Sequence, residues 1–496
     1  MLSTTLSFKR VTRRALTAIF ALVLVLAVTV VAFANVPVQQ INSDTYTNST
    51  SQHATQVEPD SFSFGSTIVA VIQTGRFFDG GSSNIAWSTS TDNGATWTHG
   101  NLPGITTFQG GTYNRVSDPV VAYDARHNVW LVSGLAIRDT SGVVGAAVTV
   151  NRSTDGGLTW SNPVNVTVAT GSANLDKNWI VCDNTATSPF YGNCYTEWDD
   201  NGNGNRIKMS TSSDGGLTWG PARNTANNAT GLGGQPVVQP SGTVIVPIAN
   251  ANETAILAFT STNGGASWTR TRTVASISTH TVAGSLRSGP LPSAEIDAAG
   301  KVYVVWQDCR FRSGCTANDI VMSTSTNGTS WSAVARIPID ATSSGVDHFI
   351  PGLAVDKSTS GSTARLGLTY YYYPVSSCTA TTCQLNVGFI SSANGGSSWS
   401  APTIVAGPLT LSWLANTSQG RMVGDYISTS YAGGTAYGVF ALASAPSGSV
   451  FNEALFTTSS GLLAPANTFA PAAANEQPVP DAASDQPAST EPLTSR

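Results

Sequence analysis

The chain has 496 residues, a net charge of −5 and only 11% charged residues, against roughly 25% in a typical soluble protein. That length is too great for one ordinary core unless the fold is a barrel, a propeller or an array. Beyond the N-terminal segment no basic run occurs, which excludes nucleic acid as a partner because phosphate binding needs a positive surface.

Read from the N-terminus, Lys9, Arg10, Arg13 and Arg14 precede an uncharged, mostly apolar run over residues 15–33 that closes on Ala32-Phe33-Ala34. This is the pattern of a signal peptide over residues 1–34, with a small-x-small cleavage site. An uncleaved anchor is the alternative, since the run is nearly long enough to span a bilayer. No second membrane segment follows, so the expected product is secreted or extracellular, with association to the cell envelope as the alternative, and tethered at most at one end.

The next feature is a repeat of the form Ser-x-Asp-x-Gly-x-Thr-Trp. It occurs at residues 90–97, 153–160 and 212–219, around Asp92, Asp155 and Asp214. Looser copies at 261–268 and 392–399 carry Asn263 and Asn394, and a copy one residue shorter at 325–331 carries Asn327. The Asp or Asn side chain accepts hydrogen bonds from its own turn. The Gly takes a backbone conformation other residues disfavour, and the Trp starts the next strand as a large apolar filler. The copies recur roughly every 50–67 residues, about one four-stranded blade with its loops.

A pair of apolar strands precedes each box, as in Val120 to Tyr123 with Val129 to Val132. A seventh pair, around Ile427 and Tyr437, follows the last box, and a further strand lies near residues 452–457. Seven strand pairs predict an all-β propeller of seven four-stranded blades over residues 35–462. Its last blade would take three strands from the C-terminal end and one from residues 38–46. Six blades result instead if the seventh pair completes the first. Residues 463–496 are rich in Ala, Pro, Ser and Thr and read as a disordered tail.

The six cysteines fall as close pairs, Cys182 with Cys194, Cys309 with Cys315 and Cys378 with Cys383. They fit local disulfides in an oxidising compartment. A zinc site is the weaker reading, because no Cys-x-x-Cys occurs. Asp199-Asp200-Asn201-Gly202-Asn203-Gly204 matches the opening of a calcium loop through Asp199, Asn201 and Asn203, but lacks the closing Glu. A polar hairpin explains it as well, so calcium is a possible ligand and no cofactor is required. In the run Tyr370 to Tyr373, alternate rings face opposite sides of a strand, for core packing or for stacking on sugar.

Six Asp-boxes, also called BNR repeats, on a propeller resemble the sialidase superfamily over roughly residues 50–460. In an antiparallel blade the boxes join strands 3 and 4. The starts of strand 1 and the ends of strand 2 lie on the opposite face, and the ligand is expected there. Polar residues at those positions include Glu58, Asp118, Lys177 and Asp425. The resemblance implies a clamp of three arginines for a substrate carboxylate, an Asp acid/base and a Tyr nucleophile activated by a Glu. The matching candidates are Arg76, Arg310 and Arg421 for the clamp, Asp79 for the acid, Tyr426 for the nucleophile and Glu197 for its activator. The family's Arg-Ile-Pro is missing from the first blade, and Arg336-Ile337-Pro338 falls on an outer strand instead. Three functions follow as expectations: an exo-glycosidase of sialidase type acting on sialic acid or a similar acidic sugar, a non-catalytic propeller binding glycan or protein, and a hydrolase of neutral polysaccharide using two carboxylates such as Asp118 and Asp308.

Overall fold

The computed structural model describes residues 36–139 and 142–463, and the short strand Ala470–Pro471. The predicted signal peptide lies outside the described residues, as does the predicted tail apart from that strand, which pairs with Ser398–Trp399. The protein is all-β: its only described helices are single 3₁₀ turns. No helix among the described residues is long and apolar enough to cross a membrane.

The strands assemble into seven successive antiparallel groups, taken here as the first to seventh sheets. The first runs through Gln56–Phe64, Thr67–Arg76, Ser82–Ser90 and Thr98–Asn101, and the second through Arg115–Asp124, Val129–Asp139, Val143–Ser153 and Val164–Val168. A single bridge, Ser82 with Val116, joins those two. The third has three strands, Leu175–Cys182, Cys194–Asp200 and Arg206–Ser212. The fourth to sixth start at Val237–Val238, Ser293–Ile296 and Asp347–Val355. The seventh holds Ser428–Ala432, Thr435–Ala443 and Glu453–Thr458, and its outer strand is Val38–Gln40 from the other end of the chain, with Val38 opposite Thr458.

The first strand of each sheet packs against the first strand of the next, and that of the seventh against that of the first. The apolar core is divided in the same way. One cluster fills each gap between consecutive sheets, such as Val71 and Trp87 against Tyr123 and Trp130. A further cluster fills the gap between the seventh and the first, where Ile41, Val439 and Leu455 meet Ala70, Ile72 and Ala86. Each large side chain buried this way contributes about 1.5–3 kcal/mol. Tyr370, Tyr371 and Tyr373 belong to this packing, and Tyr371 donates its hydroxyl to the Ala441 carbonyl at 2.7 Å.

The boxes behave as turns. Asp92 accepts hydrogen bonds from the Thr96 hydroxyl at 2.6 Å, the Thr96 amide at 2.9 Å and the Ser90 hydroxyl at 2.7 Å. These bonds, the Thr96 hydroxyl first, hold its carboxyl down at about 2. Asn394 keeps the same acceptor, taking the Ser398 amide at 2.9 Å. All three cysteine pairs form disulfides.

Candidate functional site

Proline shapes the mouth from which the first strands start. It lacks an amide hydrogen and cannot extend a ladder. Glu58-Pro59, Asp118-Pro119 and Ile350-Pro351 each sit at a break in register between the first and second strands of their sheets. The third sheet has the same break at Lys177-Asn178. The residue at each break has a left-handed backbone: φ is +59° at Glu58, +49° at Asp118, +45° at Lys177 and +49° at Ile350. Such a conformation costs about 1–2 kcal/mol for a residue with a side chain. It persists where surrounding contacts over-determine it, which is common at functional sites. A bulge also re-aims one side chain out of the alternation of the strand. Here it turns Glu58, Asp118 and Lys177 together.

Lys177 is the hub. Its Nζ lies 3.0 Å from Asp118 Oδ1, 3.3 Å from Glu58 Oε1 and 2.5 Å from Asp425 Oδ2, all four side chains being buried. Arg287 forks onto Asp425, donating from Nε at 2.7 Å and from Nη2 to the second oxygen. Gln73 donates to Glu58 and, at 3.0 Å, reaches the Ser117 hydroxyl. Arg76 donates Nη1 to the carbonyls of Phe77 at 2.9 Å and Gly81 at 2.7 Å, while its Nε has no hydrogen-bond partner among the described residues. Burial first, then Arg287, brings the Arg76 guanidinium down to about 10.

Glu58, Arg76, Asp79, Asp118, Asp176 and Lys177 line one small cavity of about 20 Å³, with Ser418 and Gln419 across it. Those two residues belong to a hairpin, Ala415–Thr417 and Gly420–Met422, whose tip donates the Ser418 amide to the Phe78 carbonyl at 2.8 Å. The hairpin therefore covers the mouth.

Burial dominates the carboxyls here. It raises Glu58, against the pull of Lys177. It raises Asp176 too, with Asp199 and then Asp118 adding to the effect. Asp199 is pushed up to about 7. Glu197 is fully buried against Gly234, and burial followed by the charge of Asp199 raises it; neither oxygen has a well-formed partner among the described residues. Four carboxyls (Glu58, Asp118, Asp176, Asp425) thus surround three cations, Arg76, Lys177 and Arg287.

Of the arginines expected to form the clamp, Arg76 and Arg421 both act electrostatically on Glu453, and each of the three is engaged by protein groups. Arg310 forks onto Asp308 of its own sheet at 2.9 and 2.7 Å, because two residues along the chain suffice to pair them. Arg421 donates to the Leu414 carbonyl at 2.6 Å at the base of the covering hairpin. Asp79 stands at the rim with its side chain 54% exposed and pairs with Arg115 at 2.5 Å. Tyr426 does reach the cluster, with Lys177 Nζ 5.4 Å from its ring centre. Its hydroxyl is donated to the Pro119 carbonyl at 3.1 Å, and its ring edge meets Trp179 at 5.1 Å. The carboxyls that act electrostatically on Tyr426 are Glu58, Asp118, Asp60 and Asp425, not Glu197.

The calcium reading is corrected as well. Asp199 takes the Asn205 amide at 2.9 Å, whereas Asn203 donates its side-chain amide to Asp200 at 2.6 Å. Asp199 and Asn203 thus turn to different partners, and residues 201–203 close the hairpin as a 3₁₀ turn. A second carboxylate group, Asp319 and Asp340 with His348, has donor atoms within 4.8 Å of one another. Arg312 and Arg336 already fork onto both acids, at 2.6–2.9 Å, so the positive charge that group needs is supplied from within. This is the role of the Arg-Ile-Pro arginine.

Arg287 was not legible among the expected site residues, since it enters from the loop ahead of the fifth sheet. Its signal is compositional: between Arg272 and Glu295 it is the one Asp, Glu, Lys or Arg. The Xaa-Pro steps that open five of the first strands, including Gln235-Pro236 and Leu291-Pro292, mark the mouth in the sequence.

Comparison with known proteins agrees with the repeat. Residues 190–352 match the family model of the BNR repeat-like domain. A xyloglucanase of Paenibacillus sp is 30% identical over 211 residues, covering 39% of this chain. The chain spans only 19% of that relative's length. Among solved structures, a Hadza microbial sialidase aligns at 12% identity over 78% of this chain and 75% of its own, with a TM-score of 0.44. Trypanosoma rangeli sialidase aligns at 13% identity over 84% and 57%, with a TM-score of 0.45. Residues 190–352 contain three of the six Asp-boxes, so the family match falls where the repeat lies.

Proposed function

We propose that this protein is an exported seven-bladed propeller, formed by residues 35–462, that acts as a glycoside hydrolase at the mouth built around Lys177. The cyclic contacts of seven first strands and the pairing of Val38–Gln40 with Glu453–Thr458 support the closed ring. Three disulfides favour an oxidising compartment outside the cytosol. Similarity to a xyloglucanase and to sialidases favours a glycan as substrate.

The single observation that carries the substrate reading is that the cations of the mouth are already paired. An exo-sialidase needs free guanidinium groups for a carboxylate. Here Lys177 and Arg287 are taken up by Asp118, Glu58 and Asp425, and Arg76 donates to the Phe77 and Gly81 carbonyls. A neutral glycan is favoured over sialic acid. Glu58 and Asp176, both held toward the protonated form, are the candidate proton donors, and Asp118, kept beside Lys177, is the candidate base or nucleophile. The covering hairpin favours a second reading, a propeller that binds glycan without cleaving it, because the cavity beneath it is too small for a sugar ring.

A panel of neutral oligosaccharides, xyloglucan fragments included, and a fluorogenic sialoside separates these readings. Release of reducing sugar from a neutral substrate and none from the sialoside is expected. Sialoside cleavage would restore the sialidase reading, and binding without release would leave the non-catalytic one.

A further inference from the structure

A much larger cavity than that of the mouth lies on the other side of the Tyr426–Trp179 contact. It encloses about 630 Å³ and is lined by the first strands of all seven sheets, from Asp60 to Phe64 in the first through to residues 427–431 in the seventh. First strands end toward the Asp-box face, so this channel opens opposite the mouth. Its chemistry is also different. Ser61, Ser428 and Ser430 form a hydroxyl chain, with Ser61 Oγ 3.0 and 2.9 Å from the other two. Phe62, Trp179 and Tyr431 supply aromatic surface, and Phe64 stands at the opening 44% exposed, packed at 4.3 Å on Tyr123. Four acids line the same space; Asp297 accepts from the Gly361 amide and Asp356 pairs with Arg365, which leaves Asp60 and Glu295, from different sheets, as the pair of interest. Asp60 uses one oxygen on the Val121 amide at 2.9 Å, and Glu295 acts electrostatically on Asp60.

One occupant of this space comes from the chain itself. The Lys357 ammonium sits 4.4 Å from the centre of the Phe62 ring and 3.8 Å from Glu295 Oε2. Its side chain is 49% exposed, so the contact is loosely held. An ammonium over an aromatic face beside a carboxylate is a favourable arrangement for any amine. Hydroxyls and rings around it match a sugar frame, which stacks on aromatics and exchanges hydrogen bonds with serines.

We infer that the channel is a second binding site, for a sugar bearing a protonated amine, whose ammonium takes the place of Lys357 between Phe62, Glu295 and Asp60. This site is independent of the mouth and of any hydrolysis there. The test is calorimetric titration of the full chain with glucosamine and with glucose, in neutral buffer. Glucosamine is expected to bind at least about tenfold tighter than glucose, the margin of one charge-assisted contact. Lys357→Ala, which removes the internal competitor, is expected to tighten glucosamine further. Glu295→Gln or, should that variant fail to fold, Asp60→Asn is expected to abolish the preference, and Asp118→Asn at the mouth to leave it unchanged. Equal affinity for the two sugars, or no glucosamine binding by either the parent chain or Lys357→Ala, would overturn the inference. So would a preference that survives the channel variants but vanishes in Asp118→Asn.

Discussion

The Asp-box turns and the first-strand bulges both hold a carboxyl in a tight backbone, at opposite ends of the same sheets. Asp92 is satisfied within five residues of chain and is solvated. Glu58 and Asp118 are buried, and their partner Lys177 lies 119 and 59 residues away. A local turn lowers an acid because its own amides and hydroxyls stabilise the anion. A buried cluster raises it unless a cation arrives from elsewhere. The first arrangement can be copied from blade to blade. The second has to gather Glu58, Asp118, Lys177 and Asp425 from far apart in the chain, and that asymmetry separates scaffold from site.

The largest effect should come from removing the hub. Lys177→Met leaves three buried carboxyls without their shared cation, and a loss of about 3–5 kcal/mol is expected in urea or thermal unfolding. A loss no greater than that of an exposed Lys357→Met control would make the cluster a minor contributor and break the contrast.

Rising pH should act in the same direction. Asp60 and Asp347 are both pushed up to about 7, chiefly by burial. Folded values above unfolded ones mean that stability from these groups is full below about pH 4 and is lost as pH rises through about 7, by roughly a few kcal/mol each. Melting temperature followed across that window should fall with rising pH, and Asp60→Asn should flatten the slope. A slope unchanged in Asp60→Asn would show that this carboxyl does not titrate with folding.

Next in size is a covalent staple. The Cys182–Cys194 bridge closes a separation of 12 residues. Replacing both by Ser should cost about 2–3 kcal/mol, read as a lower unfolding midpoint at unchanged slope. The smallest effect is expected at a box. Asp92→Asn keeps the acceptor that Asn263 and Asn394 already use, so the melting temperature should barely move. A drop as large as that of the disulfide variant would mean that the boxes carry more than their own turns.

These contrasts explain what could be read from the chain. The boxes, the strand pairs and the cysteine pairs depend on neighbours in sequence, so their residues announce themselves. Glu58, Asp118, Lys177 and Asp425 were visible as polar residues opening first strands, because charge is scarce. Their convergence was not, since it depends on bulges that follow proline and on Arg287 from a loop with no repeat. Arg310 and Arg421 sat at plausible positions but were captured by Asp308 and by the Leu414 carbonyl, partners that lie close along the chain. The ligand-loop spacing at Asp199 met a related obstacle: residues 201–203 close the hairpin as a 3₁₀ turn and Asn203 turns to Asp200.

The most direct measurement compares one acid from each end. Hydrolysis of a neutral oligosaccharide by Asp118→Asn and by Asp92→Asn, both verified as folded by their melting transitions, should be lost in the first and retained in the second. Retention of full activity in Asp118→Asn would contradict the assignment of the Lys177 mouth as the functional site.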